Sequence, residues 1–240
     1  MVPIAPPLLE LSGVTAAYGK IQVLHGLDLS VPTGSVFALL GPNGGGKTTT
    51  LKVASMQMQP TGGDVRLAGR VVNGASPDSL SRAGLCTVPE GRGIFPSLTV
   101  KENLRMMTYG GVSMSQVEDR AYSAFSRLSE RRTQIAGSMS GGEQQMLAMA
   151  RALATDPAIL LVDELSMGLA PTIVADLYEH LAGIAAGGTT IVVVEQFART
   201  VLNVADYAAI VLHGKVTSTG TPAELEDELS AAYLGSSEEK

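Results

Sequence analysis

Phosphate-binding chemistry is the first thing the sequence offers. Gly41-Pro42-Asn43-Gly44-Gly45-Gly46-Lys47-Thr48 fits the spacing Gly-x4-Gly-Lys-Ser/Thr, and Thr49 continues it into an apolar-polar stretch of helical character. A chain that wraps phosphate oxygens with its own N–H groups needs residues without a Cβ where it nears the anion or takes a positive φ. Gly41, Gly44, Gly45 and Gly46 meet that need. Lys47 brings a full positive charge for β and γ phosphates, and the Thr48 hydroxyl is an oxygen donor suited to Mg²⁺. A helix opening at Lys47 would add its unpaired N–H groups and partial positive charge. A second stretch, Ile159-Leu-Leu-Val-Asp163-Glu164, ends an apolar run in two carboxylates. Neighbouring strand residues face opposite ways, so the two acids are expected to differ in role: Asp163 toward Mg²⁺, Glu164 toward an attacking water.

A third stretch, Met139-Ser140-Gly141-Gly142-Glu143-Gln144, reads as a helix start. Ser140 is the N-cap, Glu143 completes a Ser-x-x-Glu capping box, and Gly141 and Gly142 leave the helix end bare to an anion. The helix is expected to run through Arg151.

These residues need strands and helices to hold them. Val36–Leu40 is a continuous apolar run stopped by Gly41, as in a strand buried on both faces, and Leu85–Val88, Ile159–Val162, Thr190–Val194 and Ala208–Leu212 repeat the pattern. Helix-like sequence lies between most of them, which predicts a parallel sheet covered by helices. Leu8–Val14 and Leu27–Val31 read as strands of a small antiparallel lobe, with Tyr18, Gly19 and Lys20 as turn residues. From Thr99 to Ala154 strand signals vanish and helices are expected, among them Ser115–Leu128 and Gly141–Ala154. The organisation predicted is one domain: an α/β core with the antiparallel lobe over 1–98 and 155–240, and a helical sublobe over 99–154. The acidic tail from Pro222 to Lys240 reads as a solvated helix and frayed end.

Composition narrows the function. The 240 residues are 45% hydrophobic, 17% charged and 4% aromatic, a globular balance whose core must be built from Ala, Val, Leu and Met. Seventeen Lys and Arg against 23 Asp and Glu leave a net charge of -6, which disfavours direct nucleic-acid binding. Cys86 is the sole cysteine, in an apolar run, and reads as a buried thiol in a reducing compartment. Neither a membrane span nor a signal peptide is visible, so a soluble chain is expected that reaches a membrane through a partner. His25, His180 and His213 lack metal-ligand spacing, and Met139, Met146 and Met149 follow the period of a packed helix face.

With all three stretches in order, the chain resembles the ATP-binding cassette (ABC) family over essentially its whole length, with Met139 and Glu143 in a signature that elsewhere reads Leu-Ser-Gly-Gly-Gln. The resemblance implies a P-loop NTPase fold of the ABC nucleotide-binding type: a RecA-like mixed or parallel sheet core, a small antiparallel β lobe and an inserted helical sublobe. It implies ATP and Mg²⁺ as ligands, Tyr18 stacked on adenine, Thr87–Leu104 as the loop that senses the γ-phosphate and touches a membrane partner, and Ser140–Glu143 facing the nucleotide of a second subunit. Ile94 and Phe95, apolar in that loop, are expected to fill part of the groove that receives the partner.

Three departures stand out. Glu90 replaces the usual Gln of the sensing loop, Gln196 replaces the switch histidine and so cannot carry a proton, and Leu165 and Ala170 replace the usual Pro and Asp after the acids. Val-Pro-Glu-Gly-Arg, Ser-Met-Gly-Leu-Ala-Pro and Val-Glu-Gln together resemble the smaller ATPase subunit of branched-chain amino-acid importers. That branch implies a second, related ATPase chain, two membrane permease subunits, an extracytoplasmic solute-binding protein, and a peripheral place on the inner face of the cell membrane. Competing readings are an ATPase for urea or short amides, a soluble cassette protein without a transport role, and a nucleotide-binding regulator in which Glu164 is idle.

Overall fold

The computed structural model describes residues 7–91, 93–196, 198–226 and 228. Its strands are β1 (Pro7–Tyr18), β2 (Ile21–Pro32), β3 (Val36–Leu40), β4 (Gly62–Leu67), β5 (Arg70–Val71), β6 (Leu85–Val88), β7 (Ile159–Asp163), β8 (Thr190–Glu195), β9 (Tyr207–Leu212) and β10 (Lys215–Gly220). Its helices are α1 (Lys47–Ala54), α2 (Pro77–Arg82), α3 (Val100–Arg105), α4 (Met114–Ala124), α5 (Arg127–Glu130), α6 (Gly141–Leu153), α7 (Pro171–Ala186) and α8 (Ala198–Leu202).

Two sheets form. One has the order β10-β9-β3-β8-β7-β6 and is parallel except for β10, which pairs antiparallel with β9; the other is antiparallel with the order β2-β1-β4-β5. Alternation within the parallel strands decides the layers. Val36, Ala38 and Leu40 of β3, with Leu160, Val162, Ile191 and Val193, face α6 and α7, whereas Phe37 and Leu39, with Ile159, Leu161, Val192 and Val194, face the antiparallel sheet and α1. Both faces are therefore buried, and each fully covered Leu, Ile or Val contributes about 1.5–3 kcal/mol relative to exposure.

Between residues 99 and 154 the described structure holds helices and turns, with one isolated bridge between Thr99 and Ile135. Capping boxes start three of these helices, at Thr99 with Glu102, Ser113 with Gln116, and Ser140 with Glu143. Met139, Met146 and Met149 are buried, in one cluster with the sheet residues.

Several elements differ from expectation. The first two strands form one hairpin of 12 residues each, because β1 and β2 keep pairing past Val14 through register shifts as far as Tyr18 and Ile21. The helix expected over Ser115–Leu128 breaks at Phe125, whose backbone leaves helical geometry at φ -137 and ψ 83. Its ring turns inward to stack on His180, centroids 5.2 Å apart. Most of the acidic tail lies outside the described residues.

Candidate nucleotide site

The parallel sheet brings the site together at one edge. Leu40 pairs with Glu195, and Asp163 with Val194, so the chain after β3, the acids after β7 and Gln196 after β8 leave the sheet side by side. That carboxyl-end edge is where open α/β sheets bind ligands.

The glycines of the loop after β3 are required largely by the protein behind them. A Cβ on Gly41, at φ 149, would stand 2.2 Å from the Val211 carbonyl oxygen, and one on Gly45 would stand 2.8 Å from the same atom. Gly44 and Gly46 take φ 78 and 107, and Gly46 opens α1 as a left-handed N-cap. Gly45 accepts from the Gly214 amide at 2.8 Å, and Gly214 in turn accepts from the His25 amide at 3.0 Å. The β9–β10 turn thus buttresses the loop, a support that the sequence reading missed because residues 211–214 lie far along the chain.

Lys47 is buried, and its Nζ donates to the Gly41 and Pro42 carbonyls at 2.8 and 3.1 Å. Burial pulls the ammonium pKa down while Glu164, Asp163 and Glu195 pull it up, with the downward effect the larger. Thr48 Oγ1 donates to Asp163 Oδ1 at 3.3 Å. Burial raises the Asp163 pKa against the Thr48 hydrogen bond, and burial likewise raises that of Glu164 against Lys47.

A cavity of about 420 Å³ joins these groups: Asn43, Gly44, Gly46, Lys47, Thr48 and Thr49 line one side, and Glu90 and Glu164 the other. Val23 also lines it, which no motif signalled. Glu164 further lines a cavity with Glu90, Gln144 and Gln145, and another with Glu195 and Gln196. Its own backbone is left-handed at φ 48, which is uncommon for a residue with a side chain.

Tyr18 and Ser140–Glu143 do not line the 420 Å³ cavity. Tyr18 is half exposed, with Lys52 Nζ 3.5 Å from its hydroxyl and 5.8 Å from its ring centre. At the start of α6, Glu143 accepts from the Ser140 amide and hydroxyl, both at 3.0 Å, and pairs with Arg131 at 2.9 Å, so the acid that replaces Gln is neutralised within the chain. Gly142 has a reason beyond baring the helix end: a Cβ there would lie 2.4 Å from Ile173 Cγ2, so the glycine lets α6 close onto the start of α7.

In the loop before α3, Ile94 is partly buried against the core and lines the cavity shared by Glu90 and Glu164, and Phe95 is 42% exposed. Phe95 is fixed there by Asn103, fully buried, which accepts from its amide at 2.8 Å and donates to its carbonyl at 3.0 Å. Arg151 lies 4.9 Å from the Phe95 ring centre and donates to the Gly93 carbonyl.

A glycine loop between a buried strand and a helix, facing two acids at the end of a neighbouring strand, defines a nucleotide-binding α/β domain of the phosphate-loop class. Residues 24–166 match the ABC transporter family, and the chain belongs to it. It is 40% identical, over 95% of its length and 100% of theirs, to the high-affinity branched-chain amino acid transport ATP-binding protein BraG of Pseudomonas aeruginosa. The Nod factor export ATP-binding protein I of Cupriavidus pinatubonensis is 36% identical, covering 94% of this chain and 70% of that protein. Among solved structures, the ATP binding subunit of an ABC transporter superposes with a TM-score of 0.83 at 26% identity, over 95% of this chain and 98% of that one. The ADP conformation of an ATP-binding cassette superposes at 0.84 with 24% identity, over 95% and 99%, a likeness of fold. The chain is thus an ABC ATPase, a subunit that binds and hydrolyses ATP for a transporter. Among the described residues no helix is long and apolar enough to cross a membrane.

Proposed function

We propose that this chain energises the import of branched-chain amino acids, as one of two unlike ATPase subunits seated on a pair of membrane permease subunits at the inner face of the membrane. The match at 40% identity over 95% of this chain and the whole of a branched-chain amino acid transport ATP-binding protein carries this reading, whereas this chain covers 70% of the export relative at 36% identity. Glu90 and Gln196 fit the same branch. The solute itself would be delivered by an extracytoplasmic binding protein and would not touch this chain.

In this reading the phosphate loop and Lys47 hold the β and γ phosphates, and Tyr18 stacks on the adenine. Thr48 and Asp163, whose oxygens lie 3.3 Å apart, would hold Mg²⁺, a hard cation that selects such donors. Bound there, the ion would offset charge on the phosphate oxygens. Glu164 polarises the attacking water, and a carboxylate whose pKa burial has raised is the better proton acceptor. Gln196 offers an amide donor to the terminal phosphate and Glu90 a carboxylate toward the metal or the water. Ser140, Gly141, Gly142 and Glu143 face the nucleotide of the second subunit. A site with Gln196 in place of histidine makes the two sites of the assembly unequal.

The test is uptake of labelled leucine, isoleucine and valine in cells carrying the parent chain, Glu164→Gln or no chain. Uptake restored by the parent alone is the expected result. Restoration of urea or amide uptake instead, with leucine unchanged, would reject the solute assignment.

A further inference from the structure

Glu195 is 1% exposed at the end of a strand whose preceding residues, Ile191–Val194, are all apolar. A carboxylate there carries a large desolvation cost unless it is well hydrogen-bonded. Its partners explain it. One oxygen accepts from the Ser166 amide at 2.9 Å and from the Tyr178 hydroxyl at 2.5 Å, and the other accepts from the Ser166 hydroxyl at 2.7 Å. No salt bridge to it occurs among the described residues.

These bonds join three elements. Ser166 lies two residues after Glu164 in the loop from β7 to α7, Tyr178 is the fully buried tyrosine of α7, and Glu195 ends β8 next to Gln196. The stretch between is pinned at its other end too, because the Glu164 amide donates to the Val194 carbonyl at 2.9 Å. Glu164 therefore sits between two attachments to the end of β8, with its backbone held at φ 48. A left-handed conformation at a residue with a Cβ persists where its surroundings over-determine it, and the Glu195 bonds to Ser166 supply the second constraint.

We propose that Glu195 is the positioning residue of this site: by accepting from the Ser166 amide and hydroxyl at the end of β8, and from Tyr178 of α7, it fixes the turn that aims the Glu164 carboxylate into the nucleotide cavity. The proposal rests on the reading of Glu164 as the group that acts on water. Glu195→Met conserves the length of the side chain and removes both acceptor oxygens, which leaves the Ser166 amide without its partner and releases the turn, whereas in Glu195→Gln the amide oxygen still accepts from Ser166 and Tyr178 and the NH2 group donates to the Ser166 hydroxyl. Displacement of a reacting group by about 1 Å can cost roughly a hundredfold in rate.

The experiment uses the assembled transporter and measures kcat for ATP, the Kd for Mg-ATP and the thermal midpoint for the parent, Glu195→Met, Glu195→Gln, Ser166→Ala and Glu164→Gln. The expected outcome for Glu195→Met is a kcat lowered about 10- to 100-fold with Kd within about threefold of the parent, while Glu195→Gln stays within about threefold of the parental kcat. Ser166→Ala, which keeps the backbone donor and loses the hydroxyl, should lower kcat by a smaller factor, about three- to tenfold. Amide exchange at position 166 should quicken in Glu195→Met and in Ser166→Ala. If Glu164→Gln is inactive while Glu195→Met and Ser166→Ala turn over at the parental rate, the positioning role is wrong and the reading of Glu164 stands. If Glu164→Gln itself turns over normally, that earlier reading fails and the proposal fails with it. Should Glu195→Met not fold, the Ser166→Ala kcat decides alone, unchanged turnover being the overturning result.

Discussion

Thr48 Oγ1 donates to Asp163 Oδ1 at 3.3 Å across a separation of 115 residues. The first residue stands in the opening turn of α1 and the second ends β7, and pairing of β7 with β8, and of β8 with β3, sets their distance. Two oxygens so placed form part of a shell for a hard cation. Mg²⁺ should therefore tighten nucleotide binding to the parent, and Asp163→Asn should reduce that tightening by about tenfold, the equivalent of roughly 1.4 kcal/mol. Titration calorimetry with ATP, with and without Mg²⁺, checks it; equal metal dependence in both proteins contradicts it.

The same carboxylate should cost the ligand-free protein stability. Burial raises its folded pKa, so the folded state holds the Asp163 proton more firmly than the unfolded state does. The favourable linkage is complete below the unfolded pKa and lost as pH rises through the folded one, which leaves a penalty at neutral pH. Asp163→Asn should accordingly raise the thermal midpoint at pH 7, with the gain fading as pH falls through the carboxylate range. A gain of equal size at every pH would assign it to something other than ionisation.

Gly41→Ala should be severely destabilising. Its Cβ would meet the Val211 carbonyl oxygen at 2.2 Å in a backbone at φ 149, and the obstacle is main chain of a buried strand. Strain of that kind costs about 1–3 kcal/mol before any clash is counted. Urea unfolding measures it, and a loss below about 0.5 kcal/mol, the range of an ordinary surface change, would contradict the packing described.

Phe95 is the exposed apolar residue of the loop before α3, held by Asn103 and Arg151. A surface ring fixed this firmly suits a partner's contact. Phe95→Asp should abolish solute uptake while Mg-ATP affinity stays within about twofold of the parent, well under the tenfold that 1.4 kcal/mol represents. Unchanged uptake in membrane vesicles would remove Phe95 from the partner surface.

What the sequence disclosed follows burial. Strands covered on both faces, such as Val36–Leu40 and Ile159–Asp163, read as apolar runs, the first at its observed bounds and the second within one residue of them. The strand Lys215–Gly220 pairs on one side at the sheet edge with alternate residues exposed, and Gly62–Leu67 buries only Val65 fully; neither leaves an apolar run to read. The motif glycines were legible as types, but the reason for Gly41 and Gly142 was not, since Val211 and Ile173 come close only in three dimensions. Glu195 looked like one letter of a Val-Glu-Gln pattern. Its bonds to Ser166 and Tyr178, 29 and 17 residues away, could not be read from periodicity.

The most direct test concerns Lys47, which lines the cavity together with the glycine loop, Glu90 and Glu164. Mg-ATP affinity of Lys47→Ala should fall roughly a hundredfold or more, since the variant loses charge-assisted hydrogen bonds to phosphate oxygens. Affinity equal to that of the parent, in a variant with an unaltered thermal midpoint, would mean that nucleotide binds somewhere other than in this cradle.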